Sequence, residues 1–221
     1  MRLAIYSSNR GSTMKKTIER GSVEFQNDIK LFFSDDPRTE HLRGFLEERG
    51  IAYILSPLRL RGLSNIETVR RAYWDRFLTI LQEYQIDYVF CNGNHLIQGE
   101  ILEKYKNKII NFHGALLPSY PGRMATDRML EKKEFLIGSS AIFVDENMDT
   151  GPIIMEAVLP ACAIWDETKS GEARYDIAMD AQISMIYKVH QLLKENRIEV
   201  EGNRVTIRGA DYSAFSVFPQ I

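Results

Sequence analysis

Short apolar runs alternate with stretches of helical periodicity through the first half of this 221-residue chain. Leu3–Tyr6, Ile29–Phe33, Ile51–Leu55, Tyr88–Cys91 and Lys108–His113 read as strands. Between them, Thr13–Arg20, the segment opened by Ser34-Asp35-Asp36-Pro37, Ser64–Tyr84 and Glu100–Lys104 read as helices. Ile66, Val69, Ala72, Tyr73, Phe77, Ile80 and Leu81 make the apolar stripe of the longest one. A strand returns parallel to its predecessor only through a crossover. Helical crossovers repeated at this spacing predict an open, mostly parallel α/β sheet with helices on both faces.

After residue 135 the pattern changes. Ile137–Val144 and Ile153–Leu159 read as two strands around the loop Asp145–Pro152. Gly171–Asn196 reads as a second long helix, and Ile198–Val200 with Val205–Ile207 as a hairpin turning at Gly202-Asn203. No linker-like stretch interrupts the chain, so a single domain over residues 1–221 is expected.

Charge sets limits on function. The 28 basic and 30 acidic residues leave a net charge of −2, which excludes a chain that works by spreading positive field over nucleic acid or an anionic membrane. Anion binding must therefore come from local geometry. Cys91 and Cys162 form no CxxC or Cys/His cluster, so no structural metal is expected. The opening MRLAIYSSNR holds too short an apolar run for a signal peptide, and no stretch is apolar enough to span a membrane. A cytoplasmic chain without membrane or nucleic-acid partners is expected.

In open α/β sheets, ligands bind outside the carboxyl ends of the parallel strands. Three loops there are richer in polar side chains than packing requires. Ser7-Ser8-Asn9-Arg10-Gly11-Ser12-Thr13 leads into a helix N-terminus, where backbone N–H groups suit an anion, although an ordinary turn and cap would look the same. The loop is neither a P-loop nor GxGxxG. Cys91-Asn92-Gly93-Asn94-His95-Leu96-Ile97 could turn backbone amides toward a heterocycle or be a plain loop. At the end of the fifth strand, alternation puts Asn111 and His113 on one face, a costly pairing in a core unless both find partners.

The run Asn111-Phe112-His113-Gly114-Ala115-Leu116-Leu117-Pro118-Ser119-Tyr120-Pro121-Gly122 resembles the signature of the N10-formyltetrahydrofolate-dependent formyltransferases. Asp145-Glu146-Asn147-Met148-Asp149-Thr150-Gly151-Pro152-Ile153-Ile154 is similar to that family's acidic loop, and Arg10-Gly11-Ser12-Thr13-Met14 to its phosphate loop. In length and layout the chain resembles the glycinamide ribonucleotide branch. The resemblance implies a Rossmann-like half at 1–113 and a catalytic loop with C-terminal extension at 114–221.

The resemblance also implies the chemistry. Formyl transfer to an amine passes through a tetrahedral intermediate and needs an oxyanion donor and a proton shuttle. Asn111 would supply the donor, His113 the acid/base, and Asp149 a carboxylate that favours the imidazolium. N10-formyltetrahydrofolate would be the cosubstrate, lying against His95, Leu96 and Ile97 on one side and Asp145, Glu146, Asn147 and Met148 on the other. His95 stands where the purine-pathway branch carries Arg. Arg10, Gly11, Ser12 and Thr13 would meet a phosphorylated or nucleotide-linked amine; the loop Arg59-Leu60-Arg61-Gly62 and Arg123 could instead meet an anionic acceptor. Thr13 and Ile183 depart from that branch, so an amino sugar or other amine stays open as acceptor.

Two alternatives remain: hydrolysis of the formyl donor, and folate binding without catalysis. The trio weighs against a pure binder. Hydrolases of the family usually carry an additional N-terminal domain, whereas this sequence opens at strand one. The apolar tail Tyr212–Ile221, with Phe215, Val217, Phe218 and Ile221, is expected to pack on the body or on a second copy, leaving a homodimer open.

Overall fold

In a computed structural model of the chain, residues 1–162 and 171–214 are described, the side chains of 171–175 excepted. The tail residues Phe215, Val217, Phe218 and Ile221 lie outside the described residues. The chain divides into two compact units, residues 1–111 with 143–151, and residues 112–142 with 152–221.

The first unit begins with β1 (Leu3–Ser7), α1 (Ser12–Arg20), α2 (Val23–Asp28) and β2 (Ile29–Ser34). A 3-10 segment, Pro37–Leu42, then runs into α3 (Arg43–Glu47), followed by β3 (Ala52–Leu55) and α4 (Ile66–Glu83). The unit continues through β4 (Tyr88–Asn92), α5 (Ile101–Lys104) and β5 (Ile109–His113), the last two residues of which belong to the second unit. β1 pairs in parallel with β2 on one side and β4 on the other; β2–β3 and β4–β5 are parallel too. All five residues of β1 and of β5 are buried, which is why both read as continuous apolar runs rather than alternating ones.

The second unit adds α6 (Ala125–Glu131), the antiparallel pair β6 (Leu136–Phe143) and β7 (Ile153–Pro160), α7 (Gly171–Lys194), and the hairpin β8 (Ile198–Glu201) with β9 (Arg204–Ile207). The large sheet runs β3-β2-β1-β4-β5-β6-β7, the predicted mostly parallel α/β sheet, and the hairpin forms a separate two-stranded sheet. Elements α2 and α6 were not anticipated; each is under two turns long, too short for a helical stripe to register. The helix expected after Pro37 begins as a 3-10 turn capped by Asp36, whose side chain accepts from Arg38 N. No described helix is long and apolar enough to cross a membrane.

On one face of β1 the first unit gathers a core of buried aromatic and aliphatic side chains. Tyr6, Phe33, Tyr73, Trp74 and Phe77 make an aromatic cluster, with Phe33 and Phe77 stacked at 4.3 Å and Trp74 edge-on to Tyr6 at 5.3 Å. The smaller core of the second unit joins Ala115, Tyr120, Ala125, Met129, Ile137 and Ala161.

The stacked pair sets a stability expectation. Phe77 has no exposed surface, whereas Val23 is 74% exposed. Phe77→Ala will cost about 3–5 kcal/mol in urea unfolding, while Val23→Ala will stay within about 0.5 kcal/mol. Equal midpoints would contradict this placement of the core.

Candidate active site

The chain leaves β1 toward β2 on one side and later returns as β4 on the other, so the loops after β1 and β4 part at a topological switch point. Ser7 lies in register with Ser34 of β2 and Asn92 of β4, which brings three polar residues to one rim. The two loops are knitted together there. Ser8 N donates to Asn92 O at 3.1 Å and Asn9 Nδ2 to Asn92 Oδ1 at 2.7 Å. Asn94 N donates to Ser8 Oγ at 2.8 Å, and Asn94 Nδ2 to Ser8 O at 3.2 Å.

At the expected anion loop, Gly11 stands at φ +75° and serves as the N-cap of α1 with no side-chain cap. A side chain there would be strained by its backbone conformation and would meet Leu42 Cδ1 at 2.7 Å. Gly11 N donates to Asn9 Oδ1 at 2.8 Å, so this amide is already engaged. The first turn of α1 carries no acidic residue, and its leading N–H groups favour negative charge. Ser12 is exposed; Thr13 is buried, which turns only one of the two expected hydroxyls outward. Arg10, Arg59 and Arg61 are exposed.

The loop after β4 is anchored residue by residue. Leu96 O accepts from Trp74 Nε1 at 2.9 Å, and Ile97 is 3% exposed in the core. His95 Nε2 lies 3.3 Å from Asp35 Oδ2. Asp35 also accepts from Tyr6 OH at 2.5 Å, and Ser8 Oγ donates to that same phenol at 3.0 Å. Burial pushes Asp35 up to about 6, against the opposing pull of the Tyr6 hydrogen bond. Neither Asp35 nor Tyr6 was singled out from the sequence as a site residue, whereas Ser8 belongs to the first candidate loop. Asp35 sits beside Asp36, which takes the capping role, and only the β1–β2 register brings it to the rim.

The acidic loop closes on itself. Asp145 accepts from Thr150 Oγ1 at 2.9 Å through each of its oxygens, and from Asn147 N at 3.0 Å. A Cβ at Gly151 would stand 1.8 Å from Phe143 O, so the motif's glycine is required by close backbone approach. Glu146, Asn147 and Met148 are exposed on this loop. Asp149, at φ +57°, accepts from Asn111 Nδ2 at 3.3 Å across 38 residues of sequence. The second Nδ2 hydrogen of Asn111 remains available for a donor role, and its buried Oδ1 has no hydrogen-bond partner. Buried polar atoms are rarely left so; among the described residues Arg70 Nε, Tyr73 OH and Arg128 Nε share this state.

In the second unit, His113 Nε2 is 2.7 Å from Tyr120 O. A carbonyl only accepts, so Nε2 carries the hydrogen and a neutral His113 keeps its lone pair on Nδ1. The loop after β5 is pinned by Ser140 of β6, whose Oγ accepts from Leu117 N at 2.9 Å and lies 2.9 Å from Ala115 O. Gln182 of α7, 8% exposed, donates to Phe112 O at 3.2 Å, and its neighbour Ile183 is buried at 3%. Sequence analysis found neither Ser140 nor Gln182; both act through backbone carbonyls or amides that no motif records. Among the described residues, no group of three or more His, Cys, Asp or Glu side chains could hold a metal ion.

The unpartnered oxygen has a stability consequence. Asn111→Ala deletes a buried amide that is only half satisfied, so it will change the unfolding free energy by less than about 1 kcal/mol. A loss above about 3 kcal/mol in urea titrations would show instead that Asn111 is held for packing.

The family model described as formyl transferase matches residues 1–186. Formyltetrahydrofolate deformylase of Escherichia coli O6:H1 is 28% identical over 167 residues, covering 75% of this chain and 56% of that protein. The chain thus spans about half the length of the curated deformylases it matches. Glycinamide ribonucleotide transformylase 1 from Symbiobacterium toebii superposes with a TM-score of 0.76 at 24% identity, over 94% of this chain and 93% of that one. A formyltetrahydrofolate deformylase from Pseudomonas syringae superposes at 0.75 with 19% identity, over 93% of this chain and 65% of that one. These two structural likenesses bear on the fold alone. The match to the family model over most of the sequence identifies the chain as a member of the formyl transferase family.

Proposed function

We propose that the protein transfers the formyl group of N10-formyltetrahydrofolate to a primary amine of a small, phosphorylated or nucleotide-linked acceptor. The observation that carries this reading is the Asn111–Asp149 contact, two motif residues far apart in sequence joined at 3.3 Å beside an unpartnered buried amide oxygen. In this reading the amine lone pair attacks the formyl carbon and the carbonyl electron pair moves to oxygen. The remaining Nδ2 hydrogen of Asn111 donates to that oxyanion, a role a preorganised amide fills without reorganisation. His113 takes the proton released from the attacking nitrogen at Nδ1 and returns it to N10 as the carbon–N10 bond breaks and tetrahydrofolate leaves. Asp149 is assigned the charge that favours the imidazolium in between.

His95, Leu96 and Ile97 are assigned to one side of the pterin, and Asp145, Glu146, Asn147 and Met148 to the other. Arg10, Gly11, Ser12 and Thr13 are assigned to the acceptor's anionic group. The uncapped N-terminus of α1 supports that assignment. Glycinamide ribonucleotide fits an acceptor of this kind, as does an amino sugar linked to a nucleotide.

Hydrolysis of the formyl donor is the second reading, favoured by the relatives named formyltetrahydrofolate deformylase. Both readings use the same trio and differ in whether water or an amine attacks. Assays of donor consumption with and without glycinamide ribonucleotide separate them, since transfer requires the amine and hydrolysis does not. Asn111→Ala will lower kcat by about 10²–10³-fold, and His113→Ala by about 10²–10⁴-fold. Asp149→Asn will also lower kcat, with all three variants folded. Unchanged turnover in the His113 variant refutes the assignment.

A further inference from the structure

Asp35 is a buried acid that the transfer chemistry does not use, although it accepts from the buried Tyr6 hydroxyl. Its side chain is 3% exposed, yet it faces a histidine in the loop assigned to the pterin. That loop is held at each of four successive residues. Asn94 is held by Ser8, Leu96 by Trp74, and Ile97 by burial in the core. The anchors of Leu96 and Ile97 are neutral, and Ser8, which holds Asn94, donates to the same Tyr6 hydroxyl that donates to Asp35. His95 faces the ionisable partner directly. Taking a carboxylate out of water costs free energy that a neutral hydrogen-bonding side chain at the same place would not incur, so the charge itself calls for a role.

We propose that Asp35 is a positioning residue for the formyl donor, fixing the Asn94–Ile97 segment by holding His95 in place. The inference rests on the folate reading given above. Asp35 does not touch the reacting atoms; it acts through His95 on the segment whose backbone would meet the pterin.

The chemistry of the pair gives this role a pH signature. Tyr6 from β1, Tyr73 from α4 and Cys91 from β4 face Asp35, and burial pushes all three upward, so they stay neutral near pH 7. Asp36, adjacent in sequence, is held below the usual carboxylate range by Arg38. The charge that changes is therefore that of Asp35. Above about 6 Asp35 is a carboxylate facing His95 Nε2 at 3.3 Å. Below about 6 it takes a proton and loses that charge. The contact to His95 is then no longer charge-assisted, and the anchor weakens.

Trp74 allows the test to be made without turnover, because its indole is bonded to Leu96 in the same segment. In a Trp165→Phe background, Trp74 emission is followed while tetrahydrofolate is titrated at about pH 7.5 and about pH 5.5, on either side of the Asp35 transition. The parent protein will bind roughly tenfold more weakly at the lower pH, the equivalent of one charge-assisted hydrogen bond. Asp35→Asn will bind weakly at both values with no pH step. In turnover it will raise KM for the donor while leaving kcat at saturation unchanged. Equal parent affinity at the two pH values, or parent-like binding by Asp35→Asn, overturns the role of Asp35 alone. A parent protein that binds no tetrahydrofolate at either value overturns the folate reading, and this inference with it.

Discussion

The site rests on the burial of β1 between two parallel neighbours. Every residue of Leu3–Ser7 is enclosed, and a strand shut in on both faces and both edges has a single register open to it. That register sets Ser7 beside Ser34 and Asn92. It therefore determines where the loops after β1, β2 and β4 emerge, and so where Ser8, Asp35 and Asn94 meet. The aromatic cluster of Tyr6, Phe33, Trp74 and Phe77 secures the same strands from one face. Tyr6 belongs to both systems: its ring packs in the core and its hydroxyl donates to Asp35 at the rim. Packing and polar chemistry are thus joined through one side chain.

At the rim the protein accepts arrangements that stability alone would not select. Asp35 is charged at neutral pH despite burial, Asn111 holds an unpartnered buried oxygen, and Asp149 adopts a positive φ. Each costs free energy, and such costs concentrate where ligands are handled. Other polar groups at the rim are satisfied in ordinary ways, as with Ser34 Oγ donating to Ser7 O at 2.9 Å.

Much of the architecture was legible in the sequence because parallel strands buried on both faces leave continuous apolar runs, and β1, β2, β4 and β5 lie within a residue or so of where those runs predict. The long helix α4 showed its stripe for the same reason. Helices α2 and α6 left no trace, being too short to display a period. Of the site, Asn111, His113 and Asp149 were visible as motif positions, but their surroundings were not. The engagement of Gly11 N by Asn9 and the turning of Thr13 into the core depend on packing that spacing does not encode. Asp35 and Ser140 were invisible because each acts across strands, through neighbours settled by sheet register.

The central claim is that this chain moves a formyl group off N10 of a reduced folate. Its most direct test follows the carbon itself: donor labelled with ¹³C in the formyl group is incubated with the protein and glycinamide ribonucleotide, and the label is located by NMR. Transfer predicts that the donor resonance is replaced by that of a new formamide, at a rate proportional to protein concentration. Label that stays on the folate, with and without the amine, contradicts the claim.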